Sequence, residues 1–249
     1  MSKPRLAIFD FACCEGCQLQ IVNMEEEILD LISLVTPVEW REAMSEQSTE
    51  YDIALIEGSI TRPEDEERLR QIRERAKILI TLGACASTGG VNKLKNNFDL
   101  EEVKEYVYGE AADMPHLESA PTKAVDEVVK VDYKIQGCPI DGKEFAYIVR
   151  CIALGKTPEI PNYPVCVECK LRENECRFGQ GEICLGPITK AGCGARCPSC
   201  QTWCFGCRGF VEEANIHAAR DVMSKYGKTI ADLKNRMQLF GSKQRYADE

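Results

Sequence analysis

Nine cysteines fall within the 42 residues from 166 to 207, in the runs CVECKLRENECRFGQGEICLGP and AGCGARCPSCQTWCFGC. Packing does not require so many thiols, because a free cysteine acts only as a small hydrophobe. The run divides into a quartet, Cys166, Cys169, Cys176 and Cys184, and a group of five, Cys193, Cys197, Cys200, Cys204 and Cys207. Each group contains a C-x-x-C pair, a spacing that lets two thiolates reach one metal centre. On spacing alone, structural zinc and iron–sulfur clusters both satisfy it. A chain with this tail must fold around metal.

Six further cysteines lie before it, fifteen in all. A secreted disulfide framework fits poorly: no signal peptide is visible, an odd count leaves one thiol unpaired, and such scaffolds are usually much shorter. A reducing, cytoplasmic compartment is expected. The net charge of −9 argues against nucleic acid, whose phosphates demand a basic face. No apolar run approaches the roughly 20 residues that span a bilayer, so no membrane contact is expected. The segment from Cys166 to Phe210 carries six Lys or Arg against four Glu, a local +2 suited to anionic thiolate-ligated centres.

Residues 1–155 read as alternating strands and helices, which implies an α/β fold with a covered parallel sheet. Strands are predicted at 6–9, 52–56, 78–82 and 128–135. One helix carries Ile21, Met24, Ile28, Leu31 and Val35 at spacings of three and four and ends at Pro37. A second opens on a Thr61/Glu64 capping box, with Glu64–Arg68 and Glu66–Arg70 pairs. A short helix is predicted near 100–108, and Asp141 with Glu144 caps another running to Leu154. The loops after the four predicted strands are CCEGC, EGS, GACASTGG and GCPID. In open parallel sheets these loops share the edge where ligands sit, so Cys14, Cys17, Cys85 and Cys138 are expected to converge there.

Residues 156–249 form a second, smaller unit. Gly, Pro and Cys set its pattern up to about residue 210, and metal is expected to supply its order. Two amphipathic helices follow, one with Val211, Ala214, Ala218 and Val222, the other with Ile230, Leu233 and Met237.

The C-x-x-C at Cys14 and Cys17, EGSI at 57–60, GACASTGG around Cys85, GCP at Cys138 and the two-group tail together resemble the small, electron-transferring subunit of nickel–iron hydrogenases. The likeness runs from residue 5 to about 210 and is strongest to soluble sulfhydrogenases and F420-non-reducing hydrogenases. It implies a flavodoxin-like domain with a proximal 4Fe–4S cluster, then an irregular iron–sulfur domain with medial and distal clusters, three 4Fe–4S clusters in all. Carried over, the proximal ligands are Cys14, Cys17, Cys85 and Cys138. The distal ligands are Cys166, Cys169, Cys176 and Cys184, with Cys166 where many relatives have histidine. The medial ligands are Cys193, Cys204, Cys207 and Cys197, with Cys200 as the rival for the last. Gly16 and Gly90 stand where oxygen-tolerant relatives carry extra cysteines, so an ordinary proximal cluster is implied. The twin-arginine signal of exported relatives is absent, in keeping with the cytoplasm.

The resemblance further implies a large subunit carrying the nickel–iron site, and a diaphorase-like or other flavin or iron–sulfur subunit serving NAD(P), F420 or a heterodisulfide reductase. The alternatives are the iron–sulfur subunit of a complex I-like dehydrogenase, suggested by the adjacent Cys13 and Cys14, and an inert zinc scaffold. Cys151 reads as a packing residue, and Cys13 as pointing away from the ligands. His116 and His217 read as surface residues. Glu57 and Glu15 read as solvated or backbone-bonded carboxylates, with the sharper alternatives that Glu57 bonds near the proximal cluster or the partner subunit and that Glu15 helps relay protons.

Overall fold

The computed structural model describes residues 3–111, 113–114, 118–213 and 216–241. The chain divides into two compact units, Met1–Pro158 and Glu159–Glu249.

In the first unit, strands β1 (Arg5–Asp10), β2 (Thr36–Trp40), β3 (Ile53–Glu57), β4 (Ile78–Leu82) and β5 (Tyr133–Ile135) form one sheet in the order β2-β1-β3-β4-β5. Every neighbouring pair is parallel. This is the flavodoxin-like order. The central strands are apolar on both faces, as a doubly covered sheet requires. Ala7, Phe9, Ala54, Ile56 and Leu79 share one core with Leu69 and Ile72 of α3 (Pro63–Arg75). The alternate residues Leu6, Ile8, Ile53, Leu55, Ile80 and Leu82 are buried on the opposite face. Helices α1 (Gly16–Val22), α2 (Glu26–Leu34) and α6 (Gly142–Ala153) pack together. Between β4 and β5 lie α4 (Gly83–Thr88) and α5 (Leu100–Tyr108).

The structure corrects several expectations. The single predicted helix from Ile21 to Val35 is broken at Glu25, which adopts φ 51°, into α1 and α2. Pro37 does not end a helix; it lies inside β2, an edge strand, where a missing N–H costs no ladder bond on the open side. The cap of α3 sits one residue later than predicted. Pro63 takes the first helical position, and the Asp65 carboxylate accepts from the Arg62 N–H at 3.1 Å and the Thr61 N–H at 3.4 Å. The Glu66–Arg70 pair forms at 2.7 Å, but Arg68 turns to the Asp10 carbonyl and Glu64 pairs with Arg62. Only the last three residues of the predicted 128–135 strand join the sheet. The α6 cap is as expected: the Asp141 carboxylate accepts from the Lys143 and Glu144 N–H groups at 3.0 and 3.1 Å.

The second unit holds α7 (Val165–Leu171), α8 (Arg196–Ser199), α9 (Ile216–Lys225) and α10 (Ile230–Met237). It has a core of its own, contrary to the expectation that metal alone orders it. Val165, Phe178, Leu185 and Ile188 pack with Ala219 and Met223 of α9 and Leu233 and Met237 of α10, and with Cys184 and Cys204. Val222, expected on the apolar stripe, is 38% exposed, because Ala219 and Met223 take the inward positions. His116 and Ala214 lie outside the described residues, as do the side chains of His217, Ala218 and Ile230. Among the described residues no helix is long and apolar enough to cross a membrane.

Candidate metal centres

The first candidate centre is built where β1, β3, β4 and β5 end. Residues beyond β1 are stitched to those beyond β3: the Phe11 N–H donates to the Glu57 carbonyl at 2.8 Å, and Ala12 and Ser59 form an antiparallel bridge. The loop after β4 is tied to that after β5 by the Ala84 N–H donating to the Gly137 carbonyl at 2.7 Å. These bonds bring Cys14, Cys17, Cys85 and Cys138 to one edge. Burial pushes the Cys85 thiol up to about 11, followed by the charges of Cys138 and Cys14. Cys138 is raised by burial and then by Cys14, and Cys17 by burial and then by Glu57 and, more weakly, Cys138. The four thiols therefore feel one another across three separate loops.

Close approach by glycine makes this possible. Gly83 adopts φ +76°, and a side chain there would stand 2.4 Å from the Cys17 sulfur. Only glycine lets β4 turn into α4 with that thiol lying over it.

Glu57, 2% exposed, ends β3 and points its carboxylate at the first turn of α1. Oε1 accepts from the Cys17 N–H at 3.0 Å and Oε2 from the Gln18 N–H at 3.2 Å. Burial raises this carboxyl, while the Cys17 and Gln18 N–H bonds oppose the rise. Glu57 is thus a backbone-bonded carboxylate, one of the two expected states, and is buried rather than solvated. Glu15 instead accepts from Arg41 at 3.1 Å, an arginine that also meets Asp10 at 2.8 Å. Cys13 is half-buried. Burial pushes it up to about 12, with Glu57 and then more weakly Cys85 among its electrostatic neighbours. Cys151 is half-buried on α6.

In the second unit, α7 places Cys166 and Cys169 three residues apart, on one helical face. Burial pushes Cys166 up to about 12, followed by the charges of Cys184, Cys169 and Cys176, so the predicted quartet gathers. A side chain at Gly186 would stand 3.3 Å from the Cys166 sulfur and 3.4 Å from that of Cys184: the space between these thiols is kept open by a missing Cβ. Cys197 is raised by burial and then by Cys193 and Cys200, with the Phe205 backbone opposing the rise. Cys204 is raised far by burial and then by Cys184; Cys207 acts on it more weakly. The Cys204 N–H also donates to the Cys184 sulfur at 3.2 Å, so Cys204 touches the first quartet through its backbone. Arg208, 2% exposed, donates to the Ala191 carbonyl at 2.8 Å beside this group. All fifteen cysteines are free. Among the described residues, no three His, Cys, Asp or Glu side chains close tightly enough to hold a single metal ion.

Thiols so gathered can hold an inorganic cluster, whose ligands are cysteine thiolates tuned by burial and by N–H groups donating to sulfur. The space left at Gly186 between two of the thiols fits that use.

Comparison with known proteins supports it. Residues 14–152 match the family described as the NADH ubiquinone oxidoreductase 20 kDa subunit. The chain is 37% identical to sulfhydrogenase 2 subunit delta of Pyrococcus furiosus, over 89% of this chain and 92% of that one. It is 32% identical to a subunit of the F420-non-reducing hydrogenase vhu of Methanococcus voltae, over 87% and 88% respectively. Among solved structures it resembles a chain of an NAD+-reducing [NiFe]-hydrogenase in the H2-reduced state. That match has TM-score 0.58 and 29% identity, covering 64% of this chain and 96% of that one.

Proposed function

The chain belongs to the family of nickel–iron hydrogenase small subunits and is an electron-transferring iron–sulfur subunit, and on that footing we propose which thiols hold its clusters and what it works with. Three 4Fe–4S clusters are held: one by Cys14, Cys17, Cys85 and Cys138 in the first unit, one by Cys166, Cys169, Cys176 and Cys184, and one by Cys193, Cys197, Cys204 and Cys207. The observation that carries this is the meeting of four thiols from three loops at the carboxyl edge of a parallel sheet, beside a buried carboxylate that bonds the Cys17 N–H. When bound, the clusters supply one-electron transfer and no bond-making chemistry. The protein's part is to bury the thiols, exclude water, and direct N–H groups at sulfur, as Cys204 does for Cys184.

The nickel–iron site lies in a separate large subunit, and a diaphorase-like or other flavin or iron–sulfur subunit takes the electrons onward. A cytoplasmic location suits fifteen free thiols, which a reducing compartment preserves.

Anaerobic purification of the native complex tests this reading. About twelve iron and as many sulfide per chain are expected, since each 4Fe–4S cluster takes four cysteines. A nickel-containing large subunit should co-purify, with hydrogen-dependent viologen reduction. Stoichiometric zinc without visible absorbance, or a nickel-loaded complex inert to hydrogen, would overturn it.

A further inference from the structure

Glu168 stands on α7 between Cys166 and Cys169, yet its carboxylate reaches away from their quartet. Oε1 accepts from the Gly192 N–H at 2.8 Å and Oε2 from the Ala195 N–H at 3.1 Å, the two groups that bracket Cys193. One helical turn on, Arg172 lies against the same loop: a side chain at Gly194 would stand 2.6 Å from its guanidinium. One face of α7 therefore carries thiols of the first quartet, while Glu168 bonds the loop that presents a thiol of the second group and Arg172, at the C-terminal cap of α7, packs against it. Ala195, in that loop, holds φ 51°, a conformation a non-glycine residue keeps only when its surroundings enforce it.

We propose that Glu168 is the positioning residue for Cys193, and that it ties the geometry and potential of the second tail centre to the helix bearing the first. The inference rests on the assignment of Cys193 as a cluster ligand given above. Two consequences follow from the chemistry. Glutamine at this position keeps one acceptor oxygen but turns an NH2 donor toward the other N–H, so one of the two bonds is lost. It also removes a negative charge beside the centre, and a less negative surrounding favours the reduced, more anionic state, which raises the potential.

The test uses the full chain in its native complex, prepared anaerobically as wild type, Glu168→Gln and Glu168→Asp. Two readouts are followed: iron release to a chelator, and potentiometric EPR of each tail centre. Glu168→Gln should release the iron of the Cys193 centre about 10- to 100-fold faster, the usual cost of losing an outer partner of a metal ligand. Its midpoint potential should move positive, while that of the Cys166 quartet stays put. Glu168→Asp keeps the charge and loses the reach, so it should show the faster release with little change in potential. Wild-type release and potential in Glu168→Gln would overturn the proposal. So would equal loss from both centres, which would make Glu168 a prop of α7 alone. Zinc in place of iron in the wild type would instead overturn the ligand assignment on which it rests.

Discussion

Alanine at Gly186 separates a thiol group fixed by a cluster from a group of loose thiols. Its methyl would sit 3.3 and 3.4 Å from the sulfurs of Cys166 and Cys184, and no positive φ adds strain at this residue. Contacts that tight are relieved only if the sulfurs retreat by a few tenths of an ångström. Loose thiols can do so by turning about χ1. In the apo chain the substitution should therefore be near neutral, or stabilising by about 0.4–1 kcal/mol through the unfolded state. Sulfurs bound to a shared cluster cannot retreat, and the extra methyl then overpacks the site at a cost of about 1–3 kcal/mol. At tenfold per 1.4 kcal/mol, that is about 5- to 150-fold in the equilibrium for retaining the cluster. The control is Gly179→Ala, where the new methyl meets nothing within 4 Å. The assay is chelator competition under argon, read by loss of visible absorbance, with urea unfolding of the apo chains alongside. Equal effects on apo and loaded chains, or wild-type cluster retention in Gly186→Ala, would refute the claim that these two sulfurs share a centre.

Glu57→Ala should cost about 2–4 kcal/mol in urea unfolding, because two N–H groups of α1 lose a buried acceptor; a change below about 0.5 kcal/mol would count against the capping role. Cys197→Ser should cost the second tail group its intact 4Fe–4S signal while Cys200→Ser leaves it unchanged, read by iron analysis and EPR; the reverse result would exchange their roles. Glu15→Gln should leave hydrogen-dependent viologen reduction at the wild-type rate, because its carboxylate is held in a half-exposed pair with Arg41 of small worth. A steep loss of turnover in that variant would restore Glu15 as a proton relay.

Much of this protein was legible because its signals are local. C-x-x-C spacings and alternating apolar runs are written within a few residues, so the thiol tail, three of the five strands and the cap at Asp141 could be read directly. Misreadings arose where neighbours in space overrode the local pattern. The apolar spacing from Ile21 to Val35 continues through the break at Glu25, and Pro37 looks like a stop until β1 offers it an edge to pair with.

The amino-acid sequence by itself determined that this chain carries its thiols in closely spaced sets and folds a parallel α/β unit, since spacing and periodicity dictate both. Tertiary structure alone decided that Glu57 bonds a cysteine N–H forty residues before it, that Glu168 grips the loop of Cys193, and that the Cys204 backbone bonds the Cys184 sulfur. The physical reason is common to all three. Each is a bond between a polar group and a backbone N–H remote in the chain, and any residue but proline supplies that N–H, so the sequence carries no mark of it until the fold brings the partners together.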